Sequence, residues 1–264
     1  MAPIRVIIYG AKGRMGRETL EALSRDADVE PVGAVDLISQ GDQLPLPGGV
    51  ATIPCATSLD DLLSRCQADV VVDFTNAPAC MVAAQTATTH GLHFVTGTSG
   101  LNDADLESLA DLSRRHGVGI IVVPNFALGA VLLNHLVRIA ARFFDYADIF
   151  EAHHEAKIDA PSGTALALAR AITEGKQFTR PDPEKEPLPG TRGGDYSGVS
   201  IHSTRMPGRL AHHEVLFGAA GQTLSLRHDT LSRECFMPAV MLAVKEVMKR
   251  RDLVVGLEGV LGLS

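Results

Sequence analysis

The stretch Ile4-Arg-Val-Ile-Ile-Tyr-Gly10-Ala-Lys12-Gly13-Arg14-Met15-Gly16 sets a short β-branched run directly before three closely spaced glycines. Such a run is the pattern of a strand buried on both faces in a parallel sheet. Beyond the glycines, Met15, Leu20 and Leu23 suggest a helix, and Val29 to Val35 is a second strand ending at Asp36, twenty positions after Gly16. Strand, glycine turn, helix, strand and acid together form a βαβ unit. Glycine is needed at such a turn for close approach: a pyrophosphate must lie against bare backbone at a helix N-terminus, and the helix must pack tightly on its strand. Asp36 then accepts hydrogen bonds from ribose hydroxyls. Tight turns use glycine without any ligand, so it is the combination that points to dinucleotide binding.

The alternation continues outward from this unit. Ser58 caps a short helix, Asp69 to Phe74 is a strand, Pro78 to His90 a helix and His93 to Thr96 a strand. Asn102 to His116 carries Leu106, Leu109 and Leu112 at helical spacing and stops at Gly117, a natural C-cap. Val118 to Val123 is again a buried strand. Repeated βα units predict a parallel, doubly wound sheet with ligands at the carboxyl ends of its strands. Two further ends carry polar or glycine-rich turns: Asp73-Phe74-Thr75 and Gly97-Thr98-Ser99-Gly100. Thr75 and Thr98 are read as cofactor neighbours, against the alternative of ordinary turn residues.

After Pro124-Asn125-Phe126 the texture changes. Gly129 to Phe144 is a long amphipathic helix, Tyr146 to Glu151 a strand and Ser162 to Thr173 a helix. Gln177 to Gly194 is a loop rich in Pro, Gly and charge; Val199 to Thr204, His213 to Phe217 and Thr223 to His228 resemble strands of a second, mostly antiparallel sheet. Cys235 to Arg250 is a last helix with Met237, Val240, Met241, Val244 and Val247 as its buried stripe. The expected fold is therefore α/β: an N-terminal Rossmann-type sheet, followed by an α+β domain with a mixed sheet. The expected boundaries are residues 1–124 with 235–264 for the first domain and 125–234 for the second.

Composition narrows the function. The chain has 264 residues, 45% of them apolar, enough for a sizeable core. A formal charge of −7 leaves no electrostatic footprint for nucleic acid. No apolar run approaches the roughly 20 residues that span a bilayer, and the first strand begins without a secretory pattern, so a cytoplasmic protein is expected. Cys55, Cys66, Cys80 and Cys235 form no CxxC pair and are read as buried small hydrophobes.

The chemistry-bearing stretch is Glu151-Ala-His153-His154-Glu-Ala-Lys157-Ile-Asp159-Ala-Pro161-Ser162-Gly163-Thr164-Ala165. Histidine moves its proton near neutral pH. Ser162 before a helical pattern is a good N-cap, and the free N–H groups of that first turn, together with Lys157, can hold a carboxylate. A catalytic acid beside a carboxylate cradle is the functional reading; a solvated turn or a metal site is the alternative. Four histidines, His153-His154 and His212-His213, could suggest a metal centre, but adjacent residues of a strand point to opposite faces, and no metal is expected.

These motifs together resemble the dihydrodipicolinate reductase family, the 4-hydroxy-tetrahydrodipicolinate reductases of bacterial diaminopimelate and lysine biosynthesis. The resemblance covers essentially the whole chain. Its most specific part is the E-x-H-H-x-x-K-x-D-x-P-S-G-T-A pattern of Glu151 to Ala165, supported by Gly10 to Gly16, Asp73 to Thr75, Gly97 to Gly100 and Asn125-Phe126. It implies hydride transfer from NADH or NADPH to a cyclic dicarboxylate imine, and a homotetramer. His153 resembles the family's proton donor, with Lys157 sharing catalysis; His154, Lys157, Ser162, Gly163 and Thr164 resemble its substrate contacts. Gly10, Lys12, Gly13, Arg14, Met15, Gly16, Asp36, Phe74, Thr75, Gly97, Thr98, Ser99, Asn125 and Phe126 match the cofactor-binding positions. Relatives that favour NADPH carry Arg after the acid, where this chain has Leu37. NADH is therefore the expected preference, with NADPH also used. Two other readings remain open: another two-domain dehydrogenase of the aspartate pathway, and a non-catalytic NAD-responsive protein.

Overall fold

The computed structural model describes residues 2–38, 41–49 and 51–263. They form two compact units, Met1–Phe126 with Phe236–Ser264, and Ala127–Cys235. The chain leaves the first unit two residues after the expected position, and Cys235 belongs to the second unit rather than the first. Among the described residues no helix is long and apolar enough to cross a membrane.

The first unit contains, in chain order, β1 (Ile4–Tyr9), α1 (Arg14–Leu23), β2 (Val29–Val35), β3 (Gln43–Pro45), β4 (Thr52–Ala56), α2 (Leu59–Leu63), β5 (Val70–Asp73), α3 (Ala77–Thr89), β6 (His93–Thr96), α4 (Asp103–His116) and β7 (Ile120–Val122). The second contains α5 (Leu128–Ala141), β8 (Tyr146–His153), α6 (Gly163–Thr173), β9 (Gly194–Tyr196), β10 (Val199–Arg205), β11 (Ala211–Ala219) and β12 (Gln222–Thr230). The chain then returns to the first unit with α7 (Met237–Val247), β13 (Leu253–Val255) and α8 (Leu257–Leu261).

The first sheet has the order β13-β7-β6-β5-β1-β2-β4-β3, parallel except where β3 meets β4. Its central strands are fully buried, Val6, Ile7 and Ile8 in β1 and Val70 to Val72 in β5, as continuous β-branched runs require when helices cover both faces. One side chain in two packs on α2, α3 and α4 through Leu59, Leu62, Ala83, Ala87, Leu109 and Leu112. Helix ends follow local chemistry. Ser58, Asn76 and Asn102 accept from backbone N–H groups three residues on, Asn102 in a full capping box, and Gly117 closes α4 at φ 64°.

The second sheet has the order β12-β11-β8-β10-β9; β8 and β10 are parallel and the other neighbours antiparallel. Helices α5 and α6 cover one face, burying Leu133, Val137, Leu168 and Ile172 against Ile149, Val215 and Phe217. The other face exposes Tyr146 and Phe150, with the His202 ring stacked on Phe150 at 4.6 Å.

Three sequence expectations are corrected. The last helix is split into a 3-10 turn, Arg233–Phe236, and α7; in α7, Ala239 and Ala243 are buried, while Met241 is only half-buried. Cys55 and Cys80 are buried, but Cys66 and Cys235 are half-buried. Strands β3, β4 and β13 carry too few residues to stand out as periodic runs; β4 and β13 nonetheless extend the parallel sheet.

Candidate active site

The glycine turn follows β1 as the sequence requires. Gly10 has φ +84°, and an added Cβ there would meet Thr75 Cγ2 at 2.9 Å. At Gly16 a Cβ would lie 2.3 Å from the Gly10 carbonyl oxygen and 2.7 Å from Ala11 Cα, so only glycine lets α1 approach β1 this closely. Gly13 is the N-cap of α1 and offers no capping side chain, which leaves first-turn N–H groups available to an anion. Lys12, Arg14 and Met15 lie in or beside this turn. Asp36, just past β2, accepts from the Lys12 N–H at 2.8 Å and from the Ile38 N–H at 3.0 Å, while the Lys12 ammonium donates to the Ile38 carbonyl at 3.1 Å. Leu37 is exposed beside it.

The turns after β5 and β6 are joined by one buried carboxylate. Asp73 Oδ2 accepts from the hydroxyls of Thr96 and Thr98, each at 2.7 Å, and Oδ1 from the Thr75 hydroxyl at 2.6 Å. Thr98 Oγ1 in turn accepts from the Thr75 N–H at 3.2 Å. The two threonines singled out in the sequence thus fix the carboxyl ends of adjacent strands to each other. Burial pushes the Cys80 thiol, beside Thr96, above its ordinary pKa, so it behaves as a weak donor to that network. Phe74 and Phe126 meet edge to face at 5.8 Å, and Gly97 is bare because a Cβ would strike the Phe74 ring at 2.4 Å. Ser99 is exposed beyond Thr98, and Asn125 follows β7. Every cofactor candidate therefore lies beyond the carboxyl ends of β1, β2, β5, β6 and β7, neighbours in one sheet.

The second unit gathers the other group. Strand β8 alternates, so Ala147, Ile149, Glu151 and His153 face the helices and are buried. His153 Nδ1 and Glu151 Oε2 are 2.6 Å apart. Arg205, opposite His153 in the parallel β10 register, donates from Nη1 to Glu151 Oε2 at 2.9 Å and from Nη2 to Oε1 at 2.8 Å. The Ser162 N–H donates to Glu151 Oε1 at 3.2 Å. Desolvation would raise the Glu151 pKa, but bonds from Arg205, Ser203 and His153 prevail and hold it at about 2. Burial lowers the pKa of His153, with Glu151 opposing and Lys157 and Arg205 reinforcing.

His213 sits opposite Glu151 in the antiparallel β11 register, its ring 5.2 Å from that of His153. Burial first, then the neighbouring His153, lowers its pKa to about 4. A neutral His213 accepts the Ser162 hydroxyl at 3.1 Å, while Ser162 Oγ accepts from the Ala165 N–H at 3.2 Å as the N-cap of α6. Ser162 is thereby committed to the frame, and the first turn of α6, with Gly163 and Thr164, begins at the end of that network. Lys157 is half-buried and pairs with exposed Asp159 at 2.7 Å. His154 is exposed one residue past β8.

The four-histidine centre does not form: His154 and His212 point away, His212 toward Asp229 at 2.8 Å. One histidine of each pair does converge with Glu151, their ligand atoms within 4.8 Å of one another. Both Glu151 oxygens already take bonds from the Arg205 guanidinium. Glu151, Arg205 and His213 were missed as site residues in the sequence. A glutamate in the inward phase of an otherwise apolar strand was the available signal.

Two family models match, one described as dihydrodipicolinate reductase, N-terminus, over residues 4–126, the other as dihydrodipicolinate reductase, C-terminus, over residues 129–261. The chain is 46% identical over 265 aligned positions to the 4-hydroxy-tetrahydrodipicolinate reductase of Dehalococcoides mccartyi, with 100% of each covered. It is 42% identical to that of Syntrophomonas wolfei, over 97% of this chain and 98% of the relative. Among solved structures, a dipicolinate-bound dihydrodipicolinate reductase from Paenisporosarcina sp. TG-14 superposes with TM-score 0.87 at 36% identity, covering 97% of this chain and 99% of that one.

Proposed function

This chain belongs to the dihydrodipicolinate reductase family, and on that premise we propose that its two residue clusters carry the family's reaction. That reaction reduces dihydrodipicolinate, formed from 4-hydroxy-tetrahydrodipicolinate, to tetrahydrodipicolinate in diaminopimelate and lysine biosynthesis, with NAD(P)H as reductant. The observation that supports the assignment best is the buried His153–Glu151–Arg205 relay beside the open first turn of α6.

The turn between β1 and α1 suits a dinucleotide pyrophosphate, since Gly10, Gly13 and Gly16 leave no side chain over the first-turn amides. Asp36 is the ribose partner, and Phe74, Thr75, Gly97, Thr98, Ser99, Asn125 and Phe126 line the remaining strand ends. Bound there, the reduced nicotinamide supplies the hydride. In the second unit, Gly163 and Thr164 present N–H groups to one substrate carboxylate, and Lys157 exchanges exposed Asp159 for it. His154 stands by as a second contact. Glu151 receives the Nδ1–H of His153, so Nε2 is the nitrogen that carries the mobile proton. Protonation of the enamine carbon left by hydride addition is the task of that Nε2–H, and Lys157 keeps the dianion paired while it happens.

With Leu37 where an arginine would meet a 2′-phosphate, and the Asp36 side chain beside it, NADH is the preferred reductant. Lys12 leaves NADPH usable. The uncovered face of the second sheet, with Phe150 and Tyr146 exposed, suits assembly into a homotetramer.

The test is a coupled assay with freshly generated substrate, following nicotinamide oxidation. Wild-type enzyme turns over with a higher kcat/KM for NADH than for NADPH. His153→Ala lowers kcat by about 10²- to 10⁴-fold and leaves cofactor affinity unchanged. Turnover that survives the substitution refutes the assignment of the acid, and no turnover with either reductant refutes the function.

A further inference from the structure

We infer that Glu151 is the positioning residue of this site: one buried carboxylate, clamped by Arg205, holds both the His153 imidazole and the N-terminus of α6 and so sets the acid relative to the anion cradle. The inference rests on the reading of His153 as the acid, and deepens it.

A carboxylate has about four acceptor positions, and Glu151 has at least that many donors around it, the Ser203 side chain among them. Oε2 faces His153 Nδ1 at 2.6 Å and Arg205 Nη1 at 2.9 Å; Oε1 faces Arg205 Nη2 at 2.8 Å and the Ser162 N–H at 3.2 Å. Arg205 Nη2 also donates to the Asp159 carbonyl at 2.6 Å, in the loop that carries Lys157. The strand bearing the acid, the neighbouring strand β10, the lysine loop and the start of α6 therefore meet at the Glu151–Arg205 pair. Well-packed apolar residues would serve the fold about as well as such a buried ion pair. They could not fix which imidazole nitrogen bears the mobile proton, nor stabilise the imidazolium.

The charged and titratable groups facing His153 are Glu151 on its own strand, Arg205 on β10, Lys157 in the loop and His213 on β11. Of these, Glu151 alone favours the protonated ring. Removing the carboxylate must lower the His153 pKa, whereas removing the Arg205 charge must raise it. General destabilisation moves neither, and cannot move them in opposite directions.

The experiment is an NMR titration of His153 in the free full-length enzyme, for wild type, Glu151→Gln and Arg205→Met, paired with the pH dependence of kcat. In Glu151→Gln the His153 midpoint falls by about one unit, the lower end of what an adjacent opposite charge gives. The alkaline limb of kcat, where the acid loses its proton, moves down with it, and kcat at pH 7 drops about tenfold. In Arg205→Met the midpoint rises, and Glu151→Asp recovers part of the lost kcat. If either variant fails to fold, the other still gives a signed shift. A His153 midpoint unmoved in the folded variants overturns the positioning role. Midpoints that move as stated while kcat ignores them leave the positioning intact and overturn the assignment of His153 as the acid.

Discussion

His213 makes the second unit acid-sensitive, and the size of the effect follows from the structure. Its folded pKa of about 4 lies below the ordinary 6.5 because burial disfavours the imidazolium and the nearby His153 adds to that. Between those values the unfolded chain binds more protons than the folded one, so stability rises with pH across the window and is lost as pH falls through it. Full protonation of the unfolded residue against a neutral folded one corresponds to roughly 2.5 units, or about 3 kcal/mol. Going only from pH 7 to pH 5, the loss is about 2 kcal/mol. Glu151 adds nothing there, because its depressed value of about 2 preserves its contribution until the pH drops below the ordinary 4.5. The clean perturbation is His213→Gln, whose amide oxygen can accept the Ser162 hydroxyl and does not titrate. The chain has no Trp, so urea unfolding is followed by far-UV circular dichroism at pH 7 and pH 5. Wild type loses about 2 kcal/mol more than the variant between the two, a difference on the order of 1 to 2 M in midpoint. Contributions from His153 and His228 largely cancel in that comparison. Equal losses in both proteins refute the claim that His213 is held neutral by burial.

Two further outcomes test the cofactor side. Gly16→Ala sets a Cβ 2.3 Å from the Gly10 carbonyl oxygen, an overpacking cost of about 1–3 kcal/mol that exceeds the gain of up to about 1 kcal/mol in helix propensity; reduced-cofactor fluorescence titration gives a dissociation constant raised about tenfold or more, and an unchanged constant refutes the cradle. Leu37→Arg places a guanidinium beside Asp36, and the NADPH to NADH ratio of kcat/KM rises about tenfold; a ratio that stays put removes position 37 as the determinant.

What was legible in the sequence was what neighbouring residues decide together. A β-branched run before Gly10, the caps at Ser58, Asn102, Gly117 and Ser162, and the inward or outward phase of each strand are local, and the parallel sheet follows from their repetition. The same locality explains what was hidden. Phase alone separated His153 from His154 and His212 from His213, but not which member of one pair would meet which member of the other. That choice lies in strand register: His213 is opposite Glu151 in one direction, Arg205 opposite His153 in the other, 54 positions from the carboxylate it clamps. A slip of one residue in β11 would turn His213 to the open face and bring His212 inward. The proposed acid, His153, could therefore be picked out within fifteen contiguous residues. The guanidinium that clamps the carboxylate beside it became visible only once the strands were laid side by side.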